Sequence, residues 1–68
     1  PPRQPAAREP LELLEREIDE KEALIAELEG RLAQDWGDAE VVAAHRAARE
    51  ELQALLARWE RLFDEVAG

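Results

Sequence analysis

Two heptad repeats, separated by a short break, constrain the fold of this chain more than any other feature. In the first half, apolar residues recur at alternating spacings of three and four, with one lysine among them: Leu11, Leu14, Ile18, Lys21, Ile25, Leu28 and Leu32. The second half repeats the pattern with Val41, His45, Ala48, Leu52, Leu55, Trp59, Leu62 and Val66. Such spacing places each set on one stripe of an α-helix, which is the seam of a coiled coil.

The break between the repeats, QDWGDAE, carries helix-stop and helix-start signals. Gly37 can end the first helix in a left-handed conformation, and Asp38 can cap the next helix. A loop this short makes the helices antiparallel neighbours. The seams then face each other as Leu32 with Val41, Leu28 with His45, Ile25 with Ala48, Lys21 with Leu52, Ile18 with Leu55, Leu14 with Trp59 and Leu11 with Leu62.

The sequence therefore predicts an all-α fold, a two-helix antiparallel coiled-coil hairpin. The expected first helix covers 11–35, the corner 36–38 and the second helix 39–67. The predicted coiled-coil core consists of Leu11, Leu14, Ile18, Ile25, Leu28, Leu32, Val41, Ala48, Leu52, Leu55, Trp59 and Leu62. Residues 1–10, PPRQPAAREP, carry all four prolines and are predicted to be a linker, with Pro10 well placed at a helix start. The missing methionine suggests a piece of a longer protein.

Composition narrows the classes of function. The chain has 68 residues and a net charge of −8, and it contains no cysteine and only one histidine, so neither disulfides nor a convincing metal site are expected. No apolar run is long enough for a membrane span, and a cytoplasmic location is expected. Two helices offer no pocket that could bury a substrate. We therefore expect no catalytic, cofactor-binding or metal-binding residues, and no enzyme activity in this chain.

Several residues could contact a partner instead. Trp36 at the corner either covers the end of the hairpin or touches a partner, and Arg31, Arg46 and Arg49 are the arginines considered with it for RNA, DNA or another partner. Strong negative charge opposes binding to a phosphate backbone. Trp59, between Arg58 and Arg61, is interpreted as a core residue, with a docking surface or base stacking as the alternatives.

A second apolar surface is predicted beside the seam. Val42, Leu56 and Phe63 share one heptad position of the second helix, and Leu13 and Leu24 lie off the seam of the first. A two-helix coil normally carries charges at such positions. The surface is expected to pack on the linker, on a second copy in a homodimer, or on the rest of a parent protein.

The polar seam residues are given structural roles. Lys21 can extend its ammonium to water or to Glu17 and Glu22. His45, without a second histidine or a cysteine, is interpreted as a tolerated core residue. Charged residues beside the seam are expected to pair across the helices: Glu22 and Glu29 with Arg49, and Glu17 with Arg58.

Residues 9–65 resemble the C-terminal coiled-coil domain of ABC-F proteins, the soluble ATP-binding-cassette ATPases with two nucleotide-binding domains. The resemblance lies in the helix LELLEREIDEKEALIAELEGRLA, the corner QDWGDAEVV and the returning ARWERLFDE. The return helix of that family commonly carries an Arg-Trp-Glu, matched here by Arg58, Trp59 and Glu60. Its first helix commonly runs through leucines into an Asp and an aromatic residue, matched by Leu32, Asp35 and Trp36.

The resemblance implies a cytoplasmic parent protein that hydrolyses ATP and acts on the ribosome or on nucleic acid. This domain would then be a noncatalytic accessory arm that contacts the nucleic acid or ribosome and regulates the neighbouring ATPase domains. The alternative is a homo-oligomerisation or protein-interaction module that binds no nucleic acid.

Overall fold

The computed structural model describes the backbone of residues 5–67 and the side chains of residues 9–67. It contains two α-helices, α1 over Pro5–Gln34 and α2 over Ala39–Ala67, which pack side by side. The hairpin is elongated, with extents of 54 × 17 × 13 Å. The prediction of an all-α helical hairpin is confirmed.

The seams form the interior of the hairpin. Among residues 9–67, six apolar residues are buried: Leu14, Ile18, Leu28, Leu32, Val41 and Ala48. Eight further seam residues are half-buried: Leu11, Lys21, Ile25, His45, Leu52, Leu55, Trp59 and Leu62. Val66, the last seam residue of α2, is the exception at 43% exposed.

Three side-chain contacts along the hairpin fix the register. Each joins a seam residue to the neighbour of its expected facing residue: Lys21 to Glu51, His45 to Glu29, and Trp59 to Glu15. They lie in the middle, near the corner and near the open end, so one antiparallel register extends along the whole pair of helices.

The corner is closed by two aspartates. The Asp38 carboxylate accepts hydrogen bonds from the amides of Glu40 and Val41 at 3.1 and 3.3 Å, which is the predicted helix cap. Asp35 accepts from the amide of Gly37 on its side chain at 3.0 Å and from the amide of Asp38 on its carbonyl at 3.4 Å.

The expectation of a left-handed Gly37 is wrong. No glycine of the described residues has a positive φ. The bonds made by Asp35 turn the chain through an aspartate side chain, as in an Asx turn, so the turn needs no left-handed residue.

The start of the first helix also differs from the prediction. α1 begins at Pro5, so residues 5–10, which were predicted to precede the first helix, belong to it; residues 1–4 of the predicted linker lie outside the described residues. Residues 6–9, AARE, favour helix on propensity alone, and Pro5 fits a first turn because its missing N–H would have no partner there. Pro10 is accommodated inside the helix, near its N-terminus.

Candidate interaction surfaces

The hairpin presents two broad faces, one on each side of the seam. On one face of α2, the residues beside the seam follow every second seam residue by four or by one, as Arg49 and Arg46 follow His45. On α2 this face carries a row that we call the α2 stripe, which consists of Val42, Arg46, Arg49, Gln53, Leu56, Glu60 and Phe63. All seven residues are exposed.

The apolar members of the α2 stripe are partly exposed to solvent. Val42 and Leu56 are each 39% exposed and Phe63 is 45% exposed. They recur at heptad spacing, so they form a line along one side of α2. The ring of Phe63 stacks on that of Trp59, with centroids 4.9 Å apart and an interplanar angle of 12°. This stacking holds Phe63 against the open end of the hairpin.

Acidic residues of α1 border the same face. The carboxylate of Glu15 accepts a hydrogen bond from the indole N–H of Trp59 at 3.1 Å, and that of Glu29 lies 3.1 Å from Nε2 of His45. Glu22 occupies the equivalent position midway between them. Half of this face is therefore acidic and half is the apolar and arginine-bearing α2 stripe.

The opposite broad face contains two open grooves. One, of about 550 Å³, is lined in part by Leu24 of α1 and by Ala54 and Arg58 of α2. The other, of about 430 Å³, lies nearer the open end and includes Leu13 and Arg61. Leu13 and Leu24 therefore do not extend the α2 stripe; they belong to the other side of the hairpin.

The four residues considered for nucleic-acid or partner contact do not form a single patch. Arg31 is seven residues after Leu24 and so lies on the groove face, where it pairs with Glu27 at 3.7 Å. Arg46 and Arg49 belong to the α2 stripe. Trp36 is at the corner and is 76% exposed, although it lines a shallow cavity with Leu32, Val42 and His45.

The polar seam residues take partners that the pattern did not specify. Lys21 reaches across to Glu51 at 2.6 Å, and not to Glu17 or Glu22 on its own helix. Glu29, expected beside Arg49, lies against His45. The facing pairs Lys21–Leu52 and Leu28–His45 already place Glu51 and Glu29 next to those side chains, so the register contained the signal for both contacts.

Residues 9–67 lack the features of two other classes of site. This part of the chain contains no group of three or more His, Asp or Glu side chains that could hold a metal ion. Neither helix, over the described residues, combines the length and apolar character needed to cross a membrane.

The fold and its surfaces define a helical hairpin with an exposed apolar line on one helix. Comparison of the chain with protein-family models, with curated proteins and with solved structures finds no match.

Proposed function

We propose that this chain is a noncatalytic interaction module that binds another protein surface through the α2 stripe. The observation that supports this function is the line of Val42, Leu56 and Phe63, which stays 39–45% exposed while the seam alone forms the interior. Burying such side chains in an interface gains roughly 25 cal/mol per Å² of apolar surface. Only six of residues 9–67 are buried, and a partner that binds the folded form would add to the stability of so small a core.

Charge favours a protein partner over a phosphate backbone. The chain carries −8, and the acidic row of Glu15, Glu22 and Glu29 lies on the same face as Arg46 and Arg49. A nucleic acid that approached these two arginines would meet those carboxylates as well. The repulsion opposes the counterion release that drives nucleic-acid binding.

A second candidate function is the accessory arm of an ABC-F ATPase, contacting RNA, DNA or the ribosome and regulating the ATPase domains of a parent chain. It is favoured by Trp36, which is 76% exposed at the tip and lies three residues before the start of α2. An exposed aromatic residue can stack on a base, and Arg46 and Arg49 could contact phosphates.

A nucleic-acid titration separates the two functions. Labelled duplex DNA, single-stranded DNA and structured RNA are titrated with the chain at about 50 mM and about 200 mM salt, and anisotropy is measured. We expect no saturable binding of any probe, even at the lower salt concentration.

The variants R46E/R49E and L56S/F63S are the matched pair for this titration, since both alter the α2 stripe but only the first changes its charge. Saturable binding that weakens steeply with salt, is lost in R46E/R49E and persists in L56S/F63S would overturn the protein-contact function. That result would support the second candidate.

A further inference from the structure

We propose that the occupant of the α2 stripe is the same stripe of a second copy, packed antiparallel about a two-fold axis that passes beside Gln53. This inference rests on the proposed function and specifies its partner. Symmetric dimers bury the same patch on both subunits, so a stripe that binds itself must be complementary to its own reversed order. The α2 stripe meets that condition.

The complementarity can be followed outward from Gln53. At the axis the side-chain amide of Gln53 faces that of Gln53 in the second copy, and such an amide can both donate and accept a hydrogen bond. Seven residues to either side, Arg46 faces Glu60 of the second copy, so opposite charges meet twice. At the ends, Val42 faces Phe63 of the second copy, so apolar side chains cover each other.

The remaining members of the stripe, Arg49 and Leu56, face one another. The long apolar stem of an arginine can lie along a leucine while its guanidinium extends beyond it. Trp59 lies one helical turn after Leu56, and its hydrogen bond to Glu15 keeps that carboxylate on the same face. The guanidinium of Arg49 therefore comes near Glu15 of the second copy, where the acidic row of α1 offers a charge partner.

Three other arrangements of two stripes are less complementary. A parallel pair puts every residue beside its own copy, so Arg46, Arg49 and Glu60 would each meet a like charge, which is destabilising. If the two copies are shifted by one heptad so that the axis lies nearer the corner, Arg49 faces Arg49 of the second copy. If they are shifted by one heptad in the other direction, Val42 has no facing residue. The register centred on Gln53 avoids both faults.

The broad face is large enough for a dimer contact. Its outline, 54 by 17 Å between the outermost Cα atoms, is about 900 Å², which bounds the contact of one copy from above, and a standard interface buries roughly 800 Å² per partner. The stripe from Val42 to Phe63 spans about 32 Å of α2 at 1.5 Å per residue, which is most of its length. Two stripes in contact can therefore form a continuous interface.

Single cysteines give a direct test, because the chain has none of its own. Packed helices lie about 8–10 Å apart, so side chains facing at a two-fold axis come within reach of a disulfide. Under mild oxidation, the variant Q53C should form a covalent dimer much faster than A54C. The control is closely matched, since Ala54 is the adjacent residue, is also exposed, and lines the groove on the opposite face.

A charge exchange tests the register independently. R46E and E60R should each weaken association by about tenfold or more, and the double variant should recover most of the loss, as coupled residues do in a mutant cycle. Equal cross-linking of Q53C and A54C, or additive effects of the two charge reversals, would overturn the antiparallel dimer. If that happened while nucleic acid still failed to bind, the proposed protein contact would stand with a different occupant.

Discussion

The indole N–H of Trp59 donates a hydrogen bond to the carboxylate of Glu15, 3.1 Å away on the other helix. This bond orients the ring: its body lies half-buried on the seam, while its polar edge points to the face that carries the α2 stripe. The same ring stacks on Phe63. Trp59 therefore joins the interior to the proposed interface, and its ring is not free to stack on a nucleic-acid base.

Replacement of Trp59 separates its packing from its hydrogen bond. W59F keeps an aromatic ring on the seam but loses the bond to the exposed Glu15 and part of the contact area of the indole, so we expect a loss in the free energy of unfolding of about 1 kcal/mol. W59A removes the packing as well and should cost about 2–3 kcal/mol, somewhat less than for a fully buried aromatic. Urea unfolding at one fixed protein concentration measures both, and equal losses would contradict the role given to the ring.

Removal of the Asp38 cap should destabilise the hairpin measurably. D38A leaves the amides of Glu40 and Val41 without their side-chain acceptor, which typically costs about 1 kcal/mol. D38N is the control, because asparagine caps about as well as aspartate, and it should stay near the parent protein. A D38A variant as stable as D38N would show that the cap contributes nothing.

Gly30 offers a stabilising substitution. It lies inside α1, and a Cβ placed there would meet nothing within 4 Å. G30A should therefore raise the free energy of unfolding by about 1 kcal/mol through helix propensity alone. Gly37 lies in the corner between the helices, so G37A should bring a smaller gain. A destabilised G30A would mean that this side of α1 is covered in solution.

We expect the lysine at position 21 to reduce the stability of the seam. Its ammonium pairs with Glu51, but the side chain occupies a position that faces Leu52 and would otherwise be apolar. K21L should raise the free energy of unfolding by about 1 kcal/mol, since an exposed ion pair contributes little and a leucine buries more apolar surface. E51Q, which removes only the charge partner, should change it by less than about 1 kcal/mol. A K21L variant less stable than E51Q would show that the pair itself holds the helices together.

The fold follows from the spacing of apolar residues, and its finer features do not. Alternation of three and four identifies the seam because only one side of a helix can face its neighbour, and the short corner leaves one antiparallel register. The heptad pattern does not predict the turn chemistry: the corner is closed by the side chain of Asp35 and not by a left-handed Gly37, and this depends on a side-chain conformation that the spacing does not specify. The start of α1 at Pro5 reflects helix-favouring residues before Pro10 that carry no heptad signal.

The candidate interface was only partly visible in the sequence. Val42, Leu56 and Phe63 were identified by their shared heptad position, but Leu13 and Leu24 seemed to belong with them. Only a fixed register shows that those two leucines lie on the other broad face. The same register shows which charged residues lie on the same surface as the apolar line. The complementarity of the α2 stripe to its own reversed order depends on that placement.

Sedimentation equilibrium over a wide range of protein concentration tests most directly whether the α2 stripe binds a second copy. The average mass of the unmodified chain should rise from 7.7 kDa at high dilution towards twice that value. The mass of L56S/F63S should stay at 7.7 kDa, and its helix content by circular dichroism should equal that of the unmodified chain. If the mass of the unmodified chain stays at 7.7 kDa up to about millimolar concentration, its association is weaker than about 4 kcal/mol. That result would contradict the account.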